Sequence, residues 1–260
     1  MELYINDIQK AATFVKILKN MNLLAECVSI MFYKDKLYIQ GIENSKSSVF
    51  EVILAETWFT NYSIEAETEI TMSCNILAKV FSIHSDKESI KIGIHDEDFM
   101  NIEFRSEGDF KKDLSIPLMD NVCSRLEIKP IDYDVEFIML SKTLSTVVDK
   151  LNVFGNTLNI VCSDELIEFK CNDIDGELKC ILYDNNDDKD FVDEYSCVEN
   201  LNLNVSYSMK LFGHFCSFEK ANENVLVYFS EDKPMKMTYK LDDDLSELNF
   251  YLAPKIDDDN

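Results

Sequence analysis

Two spacings of apolar residues alternate along the chain, and each predicts a different kind of element. Where every second residue is apolar, the pattern is typical of a β-strand with one buried face. The clearest segments of this kind are residues 36–42, 89–94, 101–104, 166–171, 225–229 and 235–241. Most of the chain follows this pattern, so the sequence predicts a fold rich in β-sheet.

Four other stretches have apolar residues three or four positions apart, which is the spacing of an amphipathic helix. Two of them lie in each half of the chain. Their apolar stripes are Ala11, Phe14, Val15, Leu18 and Met21; Ile76, Leu77, Val80 and Phe81; Leu144, Val147, Val148, Leu151 and Phe154; and Met209, Phe212, Phe215 and Cys216.

The order of these elements repeats. A helix followed by a hairpin occurs in both halves, and the strand from Leu37 matches the strand from Leu166 at an offset of 129 residues. Such a repeat predicts two similar α+β domains, each with antiparallel strands and with helices on one face of the sheet. We expect the first domain at residues 1–117, a connector at 118–134 and the second domain at 135–260.

The charge of the chain restricts its partners. Its 25 Lys and Arg residues against 49 Asp and Glu give a net charge of −24, whereas a free nucleic-acid binder needs cations to replace the counterions of phosphates. Hydrophobic residues make up 46% of the chain, so the acidity does not indicate disorder. The absence of a signal peptide and of any apolar run near the roughly 20 residues of a membrane span predicts an intracellular protein.

Motifs of catalysis and metal binding are missing from the sequence. It has no glycine-rich phosphate loop, no G-x-S-x-G and no H-E-x-x-H, and its histidines are His84, His95 and His214. The acidic run 184–190 fails as a calcium loop, because Lys189 stands at the glycine position and Tyr195 at the glutamate position. The sequence therefore predicts neither an enzyme nor a metal or other cofactor.

The eight cysteines occur singly, without a Cys-x-x-Cys pair or a histidine at the spacing of zinc ligands. Most of their neighbours are apolar residues of predicted strands and helices. We therefore expect reduced cysteines that pack in the core, and a disulfide or a zinc site is the less favoured alternative.

The polar faces of the four helices are neutral or basic although the chain is acidic. The faces consist of Lys10, Thr13, Lys16, Lys19 and Asn20; Asn75, Lys79 and Ser82; Lys142, Thr146 and Lys150, interrupted by Asp149; and Lys210, His214 and Ser217. This segregation indicates either a surface for an acidic partner or only the preference of lysine for exposed helical positions. The helices alone leave these two interpretations balanced.

The end of the chain, residues 248–259, has the sequence LNFYLAPKIDDD. It closely resembles the ending of the proliferating cell nuclear antigen family of sliding clamps, which is Tyr-Leu-Ala-Pro-Lys-Ile followed by acidic residues. The similarity extends over the whole chain, through Ala25-Glu26-Cys27, Leu37 with Gln40 and Ile42, Leu118-Met119-Asp120, Leu126 with Ile128, and Pro234 before Tyr239-Lys240. Each subunit of that family is two copies of one domain, which agrees with the repeat.

The resemblance implies a DNA sliding clamp and polymerase processivity factor, a homotrimeric ring that encircles duplex DNA with its helices inside. The ring would close by strand pairing between the edges at residues 110–116 and 177–183. The interface residues implied are Phe110, Leu114, Ile116, Leu178, Ile181 and Tyr183. The DNA-binding residues implied are Lys10, Lys16, Lys19, Lys79, Lys142, Lys150, Lys210 and His214. Thr146 and Asp149 replace arginines usual in the family, which implies that DNA contact through the second domain is either weaker or shifted to Lys150 and Lys210.

The resemblance also implies a pocket for short peptides of DNA polymerases, nucleases and ligases, in which one helical turn inserts one aliphatic and two aromatic side chains. The matching residues are Ile42, Leu126, Ile128, Pro234, Tyr251, Leu252, Ala253 and Pro254. Leu126 and Ile128 are aliphatic residues in a polar connector, which itself favours a binding surface, and packing on their own domain is the alternative. A clamp loader is a further implied partner.

Three further expectations concern regulation, location and rival functions. Asp164 stands where many relatives carry a loop lysine used for regulatory modification, which argues against modification at this site. We expect the protein in the nucleus, or in a viral replication compartment if the chain is viral. Two alternatives remain: a monomeric processivity factor of the same fold, held on DNA by charge, and an acidic protein that mimics DNA.

Overall fold

Each half of the chain forms its own unit of antiparallel strands and two helices. The computed structural model describes residues 1–94, 98–106, 108, 110–120, 123–164, 166–174, 176–183, 192–241 and 245–255. One compact unit consists of Met1–Glu127 with Lys240–Leu248, and the other of Ile128–Tyr239 with Asn249–Asn260. The predicted α+β class is confirmed, and the predicted domain limits at residues 117 and 134 stay a prediction.

The first unit contains β1 (Glu2–Ile5), α1 (Ile8–Asn20), β2 (Cys27–Phe32), β3 (Lys36–Ile42), β4 (Ser48–Ala55), β5 (Asn61–Ser63), β6 (Thr68–Ser73), α2 (Cys74–Phe81), β7 (Ser89–Ile94), β8 (Phe99–Arg105) and β9 (Lys112–Pro117). Neighbouring strands follow the orders β5-β1-β7-β8-β9 and β4-β3-β2-β6. Side chains alternate between the two faces of each strand, and the apolar face forms the core. In β8, Met100, Ile102 and Phe104 are buried, whereas Asn101 and Glu103 are on the other face.

The second unit contains β10 (Val135–Leu140), α3 (Ser141–Leu151), β11 (Thr157–Ser163), β12 (Leu166–Asp173), β13 (Gly176–Tyr183), β14 (Val192–Cys197), β15 (Asn202–Ser208), α4 (Met209–Cys216) and β16 (Asn224–Phe229), together with most of β17 (Met235–Lys240) and of β18 (Glu247–Leu252). Neighbouring strands follow the orders β14-β10-β16-β17-β18 and β13-β12-β11-β15. Element order and strand pairing are those of the first unit, so the predicted duplication is confirmed.

The predicted offset between the two copies is wrong by one residue. Ile30 pairs with Ile39 in the first unit, and Ile160 pairs with Phe169 in the second, with all four side chains buried. The offset is therefore 130 residues. An offset of 129 would align the buried Ile39 with Glu168, which lies on the opposite face of its strand, because side chains alternate along a strand.

The offset changes to 135 residues at the second helix of each unit. Buried Leu77 of α2 corresponds to buried Phe212 of α4. Ser82 donates a hydrogen bond to the Lys79 carbonyl, and Ser217 donates one to the His214 carbonyl, each at 2.6 Å. The second copy is thus five residues longer than the first between the aligned strands β3 and β12 and these helices.

The helices form where the apolar stripes predict them. The side chain of Asp7 caps α1 by accepting the backbone N–H groups of Gln9 and Lys10, each at 2.9 Å. Phe14 of α1 packs edge-on against Phe81 of α2, with ring centroids 5.8 Å apart. Ile17, rather than the predicted Val15, completes the buried stripe of α1. In the described ranges, no helix is long and apolar enough to cross a membrane.

The expectation that all cysteines are reduced is wrong at two positions, because Cys27 and Cys123 form a disulfide in the first unit. The less favoured alternative holds there. It could not be read from spacing, since 96 residues separate the two. The expectation of buried thiols is confirmed for Cys74, Cys162, Cys171 and Cys216, whereas Cys180 and Cys197 are half-buried.

We expect the four buried thiols to resist alkylation in the folded protein. Burial raises the pKa of Cys74 and of Cys162 to about 12, so only about one thiolate in ten thousand forms at pH 8. Labelling with iodoacetamide and mass mapping of modified peptides should find Cys180 and Cys197 as the accessible thiols of the oxidised protein. Rapid labelling of Cys74 or Cys162 without unfolding would contradict this burial.

Candidate nucleic-acid and partner interfaces

The four helices expose most of the lysines predicted to face DNA. Lys19, Lys79, Lys142, Lys150 and Lys210 are exposed, whereas Lys16 and His214 are half-buried. Lys10 differs from the others: its Nζ lies 4.8 Å from the ring centroid of Trp58, at the flank of α1. A cation held over an indole ring is already partly engaged.

Charge is segregated on these helices. Together α1 to α4 carry seven lysines and a single acidic residue, Asp149, a formal charge of +6 in a chain of −24. The rest of the chain therefore carries −30. Each helix also has a basic residue in its last turn, where the negative end of the helix dipole favours a cation.

The second unit carries its helical cations at different positions from the first. Burial aligns Phe14 with Leu144 and Leu18 with Val148. The outer positions that then correspond are Ala12 and Lys142, Lys16 and Thr146, Lys19 and Asp149, and Asn20 and Lys150. Thr146 and Asp149 thus lack the positive charge of their counterparts Lys16 and Lys19. The second unit instead carries Lys142 and Lys150, one helical turn before and after Thr146.

In the first unit, the side chain of Gln40 holds the connector backbone at Leu126. The Leu126 N–H donates to Gln40 Oε1 at 2.7 Å, and Gln40 Nε2 donates to the Leu126 carbonyl at 2.9 Å. The amide thus bonds the backbone as a neighbouring strand would, while the Leu126 side chain remains 51% exposed. Ile42, also on β3, is half-buried.

A buried hydrogen-bond chain fixes the orientation of that amide. Gln40 Nε2 also donates to the Tyr38 hydroxyl at 2.8 Å, and Tyr38 donates to the carboxylate of Glu51. Burial, followed by this bond to Glu51, raises the pKa of the Tyr38 hydroxyl far above its ordinary value. Tyr38 therefore keeps its proton and directs Nε2 and Oε1 to their partners on Leu126.

In the second unit, Lys255 anchors the chain end next to the predicted peptide-binding residues. Its N–H donates to the Ser206 carbonyl at 2.7 Å, and its Nζ donates to Thr157 Oγ1 at 2.6 Å. Ala253 and Pro254 are half-buried. Of the predicted acidic ending, residues 256–259 lie outside the described part of the chain.

An aromatic cluster in the second unit includes one residue that the sequence analysis missed. The rings of Tyr133 and Tyr228 have centroids 5.4 Å apart, and Lys236 Nζ lies 5.7 Å from the Tyr228 centroid and 6.0 Å from that of Tyr251. Tyr133 belongs to the predicted connector, where an aromatic side chain among polar residues was the available signal. Pro234 is exposed and Ile128 half-buried.

One residue predicted for the peptide pocket, Leu252, and one predicted for the subunit interface, Ile116, lie in the core instead. Leu252 is 1% exposed, since alternation along β18 points Tyr251 outward and Leu252 inward. Ile116 is 1% exposed and lies opposite Met100 of β8. A bound peptide or a second subunit cannot contact these two side chains without rearrangement of the core.

Among the strands that end a sheet are β9 in the first unit and β13 in the second. In the described residues β9 pairs only with β8, and β13 pairs only with β12. Leu114 of β9 lies opposite buried Ile102, and Leu178 of β13 opposite buried Cys171, yet both leucines are only half-buried. Apolar side chains on the core face of both edge strands are therefore only partly covered. Phe110 is 70% exposed and Ile181 40%; the side chain of Tyr183 lies outside the described part.

Comparison with family models identifies the chain. The model for the N-terminal domain of proliferating cell nuclear antigen matches residues 3–137, and the model for its C-terminal domain matches residues 127–255. This chain belongs to the proliferating cell nuclear antigen family. The resemblance seen at the chain end is confirmed, and with it the prediction of a DNA polymerase sliding clamp and processivity factor.

Relatives of this clamp come from cells and from a virus. Proliferating cell nuclear antigen of Dictyostelium discoideum is 21% identical over 95% of this chain and 97% of the relative. DNA polymerase sliding clamp 2 of Saccharolobus solfataricus is likewise 21% identical, over 95% and 97%. A probable DNA polymerase sliding clamp 2 of Paramecium bursaria Chlorella virus 1 is 22% identical over 96% and 89%. The family is a non-enzymatic scaffold. In the part of the chain that the structure describes, no group of three His, Cys, Asp or Glu side chains is arranged to hold a metal ion.

Proposed function

We propose that this clamp is a homotrimeric ring that encloses duplex DNA and has no enzymatic activity of its own. The observation that carries the proposal is the segregation of charge, with +6 on the four helices and −30 elsewhere. A ring with its helices inside presents cations to phosphates and keeps most of the acid away from them. Enclosure then retains the clamp on DNA, and the individual phosphate contacts can remain weak and exchange during sliding.

The two open edges support closure by strand pairing. Pairing of β9 from one subunit with β13 from the next satisfies the free backbone groups of both strands. It also covers Leu114 and Leu178 with apolar neighbours. Because one chain contains both edges, the contact is head to tail and closes when the rotation between subunits completes a circle. Ile181 lies at an exposed position of β13, and the exposed Phe110 precedes β9 by two residues.

We assign DNA contact to the exposed helical cations Lys19, Lys79, Lys142, Lys150 and Lys210, with Lys16 and His214 at the margin. Lys10 contributes less, because its ammonium group lies on Trp58. In the second unit, Asp149 reduces the local positive potential beside Lys150, so that part of the ring holds DNA less strongly than the first unit does.

We also assign partner binding to Leu126, Ile42 and Ile128 together with Pro234, Tyr133, Tyr251, Ala253 and Pro254. The support within the first unit is Leu126, whose backbone is held while its side chain is exposed. The support within the second is the cluster of Tyr133, Tyr228 and Tyr251 beside the anchored chain end. The partners are polymerases, nucleases and ligases with a short aliphatic-aromatic peptide, and a clamp loader opens the ring in the nucleus or a viral replication compartment.

Retention on DNA tests the ring. We expect light scattering to give the mass of three subunits. We also expect the clamp to remain on linear DNA whose ends are blocked after binding, through a salt wash that removes it from DNA with open ends. The cause is that enclosure resists salt, whereas binding by charge alone weakens steeply with salt on either DNA.

A monomer that is lost equally from both DNAs as salt rises would contradict the ring and favour the monomeric processivity factor. Failure to bind either DNA at low salt, combined with capture of basic DNA-binding proteins, would favour the DNA mimic.

A further inference from the structure

The first half of the connector is attached to the first unit by several contacts. We call residues 118–120 and 123–127 the connector arm. Within its described residues, the Met119 N–H donates to the Thr71 carbonyl at 3.1 Å, and the Cys123 N–H donates to Thr71 Oγ1 at 3.2 Å. Further along, Arg125 Nε lies 3.0 Å from a carboxylate oxygen of Glu69. Gln40 then holds both backbone groups of Leu126.

The Cys27–Cys123 disulfide is the single covalent contact among these described attachments. Cys27 begins β2 and pairs with Ser73 of β6, two residues beyond Thr71. The bond therefore fixes the arm at the place where Thr71 also binds it. Neither cysteine is fully buried in the core, which reduction by a thiol from solvent requires.

We propose that the Cys27–Cys123 disulfide is a redox-controlled tether that positions Leu126 and thereby sets the affinity of the clamp for partner peptides. This inference rests on the peptide-binding function proposed above. A dithiol reductant reverses the tether: its thiolate attacks one sulfur, its second thiol resolves the mixed disulfide, and two electrons and two protons pass to Cys27 and Cys123. The reductant leaves as a disulfide.

After reduction, only the weaker non-covalent contacts described above hold the connector arm. The side chains of the Arg125–Glu69 pair are 42% and 32% exposed, and ion pairs in contact with water contribute little. The two bonds to Thr71 lose the covalent link that keeps their partners together. The Gln40 bonds remain, but they hold a shorter stretch of chain on their own. The arm then samples more conformations, and a peptide that needs Leu126 in one place must order it on binding.

The test compares oxidised and reduced wild-type clamp in two measurements. Anisotropy of a labelled peptide with one aliphatic and two aromatic anchors gives the affinity, which we expect to fall about three- to tenfold on reduction with dithiothreitol because the arm loses its preorganisation. Hydrogen exchange should become faster in the connector arm, with residues of α3 as the internal reference.

Matched variants isolate the bond. Cys123→Ser should show the reduced affinity under both conditions, and Cys197→Ser, which alters a half-buried thiol of β14, should behave as the wild type. Unchanged peptide affinity and unchanged hydrogen exchange on reduction would contradict the proposed tether. The exchange measurement uses the wild-type clamp, so it tests the proposal even if Cys123→Ser folds poorly. If the oxidised clamp binds no peptide, the proposed peptide site fails, while faster exchange of the arm would still support redox control of its position.

Discussion

Replacement of Leu178 by glutamate is expected to convert the trimer into monomers. Leu178 faces the core side of an open edge, opposite buried Cys171, and strand pairing would bury the new carboxylate without a partner. An unpaired charge at such a site costs roughly 3 kcal/mol or more, which weakens each subunit contact about 100-fold or more. Light scattering over a concentration series measures the change, and retention on end-blocked DNA should be lost with it.

Mixing two variants tests the head-to-tail geometry directly. Leu114→Glu damages β9 and leaves β13 intact, whereas Leu178→Glu does the reverse. Each variant alone should be monomeric, and an equal mixture should form a dimer, because only one competent pair of edges is available. Val198→Glu, at an exposed valine outside both edge strands, should remain trimeric. A trimer of well-folded Leu178→Glu, or no dimer in the mixture, would show that these edges do not form the interface.

The repeat was predictable because it depends on local patterns. Helical stripes such as Phe14 and Leu18, and alternating strands such as Met235 and Met237, have their period in the sequence itself, and both pairs are buried as expected. The one-residue error in the offset arose because Leu166 resembles Leu37 chemically but lies on the other face. A burial pattern over the whole strand identifies the correct face, whereas one matching leucine does not.

The attachment of the connector could not be predicted from the sequence. Gln40 and Leu126 are 86 residues apart, and Cys27 and Cys123 are 96 residues apart. No period or spacing connects positions so distant, since their contact depends on the tertiary fold. Leu252 is the opposite case: its position next to Tyr251 in an alternating strand already implied that only one of the two side chains could face outward.

Truncation of Tyr251 or Leu126 to alanine is expected to weaken partner-peptide binding by about 30-fold each, in line with the loss of roughly 2 kcal/mol at a central interface anchor. Tyr251 is half-buried beside Lys236, and Leu126 is exposed on a backbone that Gln40 already holds, so neither truncation empties the core. Peptide anisotropy measures the affinity, and primer extension by a clamp-dependent polymerase should decline in parallel.

Control variants and measurements distinguish an effect on peptide binding from an effect on the assembly of the ring. Leu245→Ala removes a leucine that is 66% exposed outside the proposed surface, and its peptide affinity should equal that of the wild type. Leu126→Ala should stay trimeric and remain on end-blocked DNA, because the edges and the helical cations are untouched. Peptide affinity unchanged in both Tyr251→Ala and Leu126→Ala would reject the surface while leaving the ring intact. Loss of DNA retention in Leu126→Ala would instead show that the connector contributes to closure.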